Sequence, residues 1–152
     1  MEATKGEVVF SQNEIVLDPN SLWKRNSMVS PYQELPEELS LNELIDFQTK
    51  MLGNEEKRME YGSFIQMFGM EKDAAKPIVH YSTGMKQKAK IILSIGLNRP
   101  ILFLDEPTSN LDPESFGKFW QLIVGLKKER LIITASNDEK EIAFGKVLMT
   151  LG

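Results

Sequence analysis

Two unbroken apolar runs of strand length, "ILFL" at 101–104 and "LIITAS" at 131–136, constrain this chain more than any other feature. Strands buried on both faces read as continuous apolar runs, the mark of a parallel sheet covered by helices. Between them lies "ESFGKFWQLIVGLKK", long enough for the crossover helix that a parallel pair requires. Asp112 followed by Pro113 supplies its N-cap and first-turn proline. A short helix over about 139–144 and a last strand, "KVLMTL" at 146–151, continue the alternation. The fold class is therefore α/β.

Upstream the signals change. "GEVVFSQNEIVLD" at 6–18 holds two short β-rich runs separated by "SQN", a hairpin or β-turn pattern. "PNSLWKRNSMVSPYQELPEEL", punctuated by prolines, reads as irregular. From Ser40 the pattern is helical: Leu41, Leu44, Ile45, Gln48, Met51 and Leu52 keep the three-and-four spacing. Ser40 with Glu43 three residues on forms a capping box. A second helix covers about 55–68 and ends at Gly69, and a third runs from about Thr83 to Leu97. This mostly helical insert, about 40–97, reads as a separate lobe.

The bulk numbers exclude several classes. With 152 residues the chain suffices for one domain with a core. A formal net charge of −4, with both signs interspersed, argues against a dedicated nucleic-acid binder. The absence of cysteine excludes disulfides and thiolate-held metal. No apolar run approaches the ~18–20 residues that span a bilayer, and "MEATKGEVVF" lacks the character of a signal peptide. A cytosolic setting is expected, with any membrane role exerted through a partner.

The chemistry gathers at the ends of the apolar runs. Ligands of open α/β sheets sit beyond the carboxyl ends of the strands, where this chain places Asp105 and Glu106 after one strand and Ser136 and Asn137 after the next. A right-handed crossover would bring all four to one edge. One carboxylate could then hold Mg²⁺, largely through water, while its neighbour orients or deprotonates a nucleophile. The plainer alternative is that "DEP" only turns the chain out of a strand. Ser82 is placed to cap the third helix, leaving the amides of Thr83, Gly84 and Met85 as an anion site, and Gly84 permits close approach of a ligand. Lys86 opposes the helix dipole there, a penalty that a bound phosphate would offset. An ordinary N-cap with a solvated lysine is the bland alternative.

Taken together, "YSTGMKQK" at 81–88, "ILFLDE" at 101–106 and "SNLD" at 109–112 resemble the signature, Walker B and D-loop of an ABC transporter nucleotide-binding domain, in order and at the family's spacing. The signature is a variant, with Tyr81, Thr83 and Met85 in place of commoner Leu, Gly and Gln, and is similar to that of subunits serving ABC-2-type or haem-exporter-like systems. The resemblance implies a P-loop NTPase-like parallel sheet, present in part. About 1–35 would hold remnants of an antiparallel β-subdomain and the Q-loop region, about 40–97 a helical subdomain, and about 98–152 the core sheet. It implies Mg²⁺ at Asp105, water polarised by Glu106, and ATP of a second nucleotide-binding domain contacted by Ser82, Thr83, Gly84 and Met85 in a head-to-tail dimer. Asp112 would communicate between the two sites. A transmembrane permease subunit would dock at the Q-loop region, "SPYQELPEELSL", keeping the protein on the inner face of a membrane.

Three departures from the family pattern stand out. No G-x-x-x-x-G-K-[ST] occurs in the chain, so the phosphate loop is missing and an N-terminally incomplete domain is expected. Asn137 occupies the place of the switch histidine; it can hydrogen-bond a phosphate but cannot exchange a proton. The Q-loop glutamine is out of register: an ungapped reading puts Pro31 or Tyr32 there, and Gln33 becomes the Mg²⁺ contact only if the loop shifts. Two rival readings remain: a non-catalytic interaction module that lends its signature helix to a complete ATPase, and a soluble ABC ATPase outside transport.

Overall fold

The computed structural model describes residues 9–12, 14–53 and 58–144. The strand expected at 146–151 and the start of the helix expected from 55 lie outside them. Among the described residues, a three-stranded parallel sheet is formed by β3 (Asn26–Val29), β4 (Ile101–Asp105) and β5 (Leu131–Ala135), in that spatial order. The register pairs Val29 with Leu104 and Leu104 with Thr134. A small antiparallel ribbon, β1 (Ser11–Gln12) and β2 (Ile15–Val16), precedes it. Ser11 and Gln12, read in sequence as part of the turn, are themselves paired, and Glu14 takes a φ of 66° where the chain reverses.

β3 corrects the sequence reading, which left 19–39 irregular. Its inward residues are Ser27 and Val29, 5% and 0% exposed, whereas Met28 between them is 40% exposed. Half of the strand is polar, so neither an apolar run nor a clean alternation announces it. Its partner lies far along the chain, with Ser27 opposite Leu102.

Three helices precede β4. Helix α1 (Leu41–Leu52) starts on the expected capping box: the Glu43 carboxylate accepts the Ser40 backbone N–H at 2.8 Å, and Ser40 Oγ accepts the Glu43 N–H. Leu41, Leu44 and Ile45 are buried as the periodicity demands, while Met51 is 63% exposed. Helix α2 (Arg58–Met67) ends before Gly69, whose φ of 65° makes the left-handed stop that glycine permits. Helix α3 (Thr83–Gly96) is buried at every residue from Ala89 to Gly96. Burial all round marks a helix packed on both sides. Here the sheet lies on one side and α1 and α2 on the other. One continuous cluster runs from Leu41 and Tyr61 through Ile91, Ile92 and Ile95 to Leu102 and Leu104.

Helix α4 (Pro113–Leu126) crosses from β4 to β5 and adds Phe119, Trp120 and Ile123 to that cluster. A final short helix, α5 (Glu139–Ile142), follows β5. It is tied back to α4 by Phe144, which stacks on Trp120 with centroids 4.6 Å apart. The expectation of a sheet covered on both faces holds on one side only among the described residues. Leu102 and Leu104 are sealed, but Met28, Leu131 and Ile133 on the other face of the pleat are 38–53% exposed.

Candidate active site

β4 ends at Asp105 and the chain turns at Glu106, whose φ is 41°, and this separates the two neighbouring carboxylates. Asp105 turns toward β3, where its Oδ2 accepts a hydrogen bond from Ser30 Oγ at 3.0 Å. Glu106 turns the other way and, with Ser136 and Asn137 from the end of β5, lines an open cleft of about 260 Å³. Thr108, Ser109, Asn110, Asp138 and Glu141 complete its wall. Three of the four polar groups expected to converge therefore do so, and Asp105 does not share the cleft wall with them.

The backbone around Glu106 is fixed. Its N–H donates to the Ala135 carbonyl of β5 at 2.9 Å, and its own carbonyl accepts the Ser109 N–H at 3.1 Å. Its φ of 41° and that of Asn110, 63°, place both in the left-handed region. Buried Gln87 of α3 donates to the Pro107 carbonyl at 2.7 Å. Glu141 of α5 accepts the Thr108 N–H at 3.0 Å and the Thr108 hydroxyl.

The α3 start differs from its expected form in three ways. Ser82 caps the helix by accepting the Met85 N–H at 3.2 Å, so that amide is not left for an anion. A Cβ on Gly84 would lie 2.8 Å from the Asn110 carbonyl, so the D-loop backbone, not a ligand, occupies the space that glycine opens. Lys86 pairs with Glu37, in the segment between β3 and α1, which offsets its unfavourable place on the helix dipole without any phosphate. Ser82 and Thr83 are exposed at this helix start, outside the cleft lining. Gln33 is likewise exposed, its N–H donating to the Ser30 carbonyl at 3.3 Å in the turn after β3. His80 is exposed.

Asp112 is engaged within the chain. It caps α4 by accepting the Ser115 N–H at 2.8 Å, and Lys88 of α3 sits 2.9 Å from its other oxygen. Lys88, then the Ser115 N–H, hold the carboxyl well below the usual carboxylate range. A pKa depressed in the folded state means stabilisation that is complete above the unfolded value, about 4, and lost as pH falls below it. Asp112→Asn keeps an N-cap oxygen while removing the charge. Its urea midpoint is expected to lie below wild type at neutral pH, and the gap to close progressively as pH falls below about 4. Because Asp112 is about half exposed, the gap is small, about 0.5 kcal/mol.

Sequence reasoning missed Lys90, Ser30, Gln87 and Glu141. Lys90, 8% exposed, donates to the Ser30 and Pro31 carbonyls at 3.3 and 2.7 Å and so ties α3 to the end of β3. Burial, then the nearby Lys86, push its ammonium pKa down. Its signal was a lone charge within the apolar run "AKIILSIG". Nothing in the sequence marks the other three.

A parallel sheet with acidic and amide side chains at its carboxyl edge, backed by a helix start folded against that edge, is the arrangement in which open α/β folds bind their ligands. The chain belongs to the ABC transporter family, whose model matches residues 1–109. It is 28% identical over 148 residues to the energy-coupling factor transporter ATP-binding protein EcfA of Methanocaldococcus jannaschii, covering 93% of this chain and 53% of that protein. It is also 28% identical to ABC transporter A family member 8 of Dictyostelium discoideum, covering 91% of this chain and 17% of that protein. The daunorubicin/doxorubicin resistance ATP-binding protein DrrA of Streptomyces peucetius matches at 28% over 75% of this chain and 35% of its own length. The fold is similar to a solved ATP-binding subunit of an ABC transporter, with a TM-score of 0.75 at 22% identity, covering 83% of this chain and 54% of that one. The chain thus spans about half the length, or less, of these relatives. None of its described helices is long and apolar enough to cross a membrane.

The cleft's chemistry limits what it holds unaided. Glu106, Asp138 and Glu141 contribute three carboxyl groups, and no lysine or arginine among the described residues lines it, so these residues alone repel a triphosphate. No group of three or more metal-binding side chains exists among the described residues. Asp105 as a single carboxylate fits Mg²⁺ nonetheless, since that ion keeps several waters and takes only one or two carboxylates besides phosphate oxygens.

Proposed function

We propose that this chain is the water-activating and partner-facing portion of an ABC-type ATPase, the ATP-binding subunit of a membrane transporter with exporter-like character. The observation that carries the reading is the cleft shared by Glu106 and Asn137, which come from the ends of neighbouring parallel strands. In this role Glu106 accepts a proton from, or orients, the attacking water. Asn137 donates a hydrogen bond to the terminal phosphate, and Asp105 holds Mg²⁺ through water. Mg²⁺, when bound, neutralises phosphate charge. Ser82, Thr83, Gly84 and Met85 face the nucleotide of a second nucleotide-binding domain. Asp112 lies in the loop that joins the two sites, and Gln33 serves the Q-loop role beside Mg²⁺. The phosphates are held by a loop that these 152 residues do not contain.

The division into a β-subdomain over about 1–35, a helical subdomain over about 40–97 and a core over about 98–152 follows the same reading. So does a cytoplasmic position on the inner face of a membrane, through a permease that docks at the Q-loop region, "SPYQELPEELSL". The relatives named above include transporter ATP-binding proteins, and this supports transport over the soluble alternative.

The acidic cleft decides the test. Isothermal titration of Mg-ATP onto the chain alone is expected to give no saturable binding below about 1 mM. Turnover is expected only when a polypeptide bearing a phosphate loop is supplied. Micromolar binding by the chain alone would overturn the half-site reading.

A further inference from the structure

Glu141 stands apart from every motif of the chain, yet it is 3% exposed and lies on the wall of the cleft. Its Oε1 accepts both the backbone N–H and the hydroxyl of Thr108, two residues beyond Glu106. Its Oε2 is buried with no hydrogen-bond partner, and no salt bridge compensates its charge among the described residues. Burying a carboxylate without a cation is costly. For packing alone a glutamine would accept the same two bonds without that cost. What the carboxylate adds is strength, because hydrogen bonds to an ionised acceptor are about twice as strong as neutral ones.

The placement says what that strength is applied to. Helix α5 begins two residues after Asn137, and Phe144 at its far end is stacked on Trp120 of α4. The Glu141–Thr108 bonds therefore join the segment that carries Asn137 to the turn that carries Glu106. On its opposite side that turn is held by Gln87, through the Pro107 carbonyl. We propose that Glu141 is a positioning residue that fixes the distance and angle between Glu106 and Asn137 across the cleft. The inference rests on the roles given above to those two residues.

The test uses Glu141→Ala, Glu141→Gln and Thr108→Val. In the 152-residue chain, Glu141→Ala is expected to raise amide exchange at Glu106 and Thr108 by about tenfold or more while α1 and α2 keep their protection. Glu141→Gln is expected to recover only part of it, since its amide oxygen accepts the same two bonds more weakly. Unchanged protection at Thr108 in the alanine variant overturns the proposal. If that variant loses protection everywhere, Thr108→Val, which keeps the backbone bond, is read by the same measure and must loosen the turn selectively.

In the ATP-hydrolysing assembly, Glu141→Ala is expected to lower kcat by about 10- to 100-fold with KM nearly unchanged, as for a misplaced reacting group. Glu141→Gln should restore part of the rate, and adding Glu141→Ala to Glu106→Gln should cost nothing further. If Glu106→Gln stops turnover while Glu141→Ala leaves kcat intact, the positioning role is wrong. If Glu106→Gln itself leaves turnover intact, the assignment of the base has failed instead, and amide exchange still decides whether Glu141 ties the turn.

Discussion

Glu106→Gln is expected to retain nucleotide capture and to cut ATP turnover by about 10²- to 10⁴-fold, the usual contribution of a positioned general base. The substitution is clean because the backbone at this residue is held independently of the side chain, by Ala135 on one side and Ser109 on the other. Glutamine keeps the shape and loses the negative charge together with the ability to accept a proton. The neighbours offer no easy substitute. Asn137 cannot exchange a proton, and Asp105 is turned toward Ser30 on the other side of the strand end. Nucleotide affinity measured beside phosphate release in the assembled ATPase separates binding from chemistry. Turnover within about twofold of wild type would remove Glu106 as the base.

The second large effect is expected in the core. Gly96 closes α3 where a Cβ would clash with the Tyr61 ring, 2.6 Å from Cδ1 and nearer still to Cε1 and Cζ. Tyr61 cannot swing away freely. It is 1% exposed, and its hydroxyl donates to Gln48 Oε1 at 3.0 Å. Overpacking of this kind costs about 1–3 kcal/mol, and sometimes more. Alanine regains about 1 kcal/mol of helix propensity over glycine. The clash should win, leaving Gly96→Ala about 1–2 kcal/mol less stable by urea unfolding. Gly62 in α2 is the matched control, since a Cβ there would meet nothing within 4 Å. At that position the propensity gain should stand alone, at about 0.5–1 kcal/mol of added stability. A destabilised Gly62→Ala, or a neutral Gly96→Ala, would contradict the packing around Tyr61.

The elements that could be read from sequence are those whose signals are local. The apolar runs of β4 and β5, the capping serines Ser40 and Ser82, and Asp112 with Pro113 each announce themselves within a few residues. β3 does not, because Ser27 is buried only by virtue of a partner strand more than seventy residues away. The same holds for the side chains that steady the cleft. Gln87, Lys90 and Glu141 find their acceptors and donors 20, 60 and 33 residues away. The parting of Asp105 from Glu106 was not legible either, since it depends on the left-handed turn that Glu106 takes just past the strand end. What the sequence could not supply was the occupant of the space beside Gly84. A glycine invites close approach without saying by what, and here it is the Asn110 carbonyl.

The left-handed backbone of Glu106 has an evolutionary consequence. A non-glycine residue held there bears about 1–3 kcal/mol of conformational strain, which glycine would relieve in full and asparagine in part. Both replacements also delete the carboxylate. Selection for a sturdier chain and selection for a working one therefore pull opposite ways at a single codon. A lineage freed from the need to split a phosphate bond would have reason to shed this glutamate early, well before its core or its helix caps began to drift.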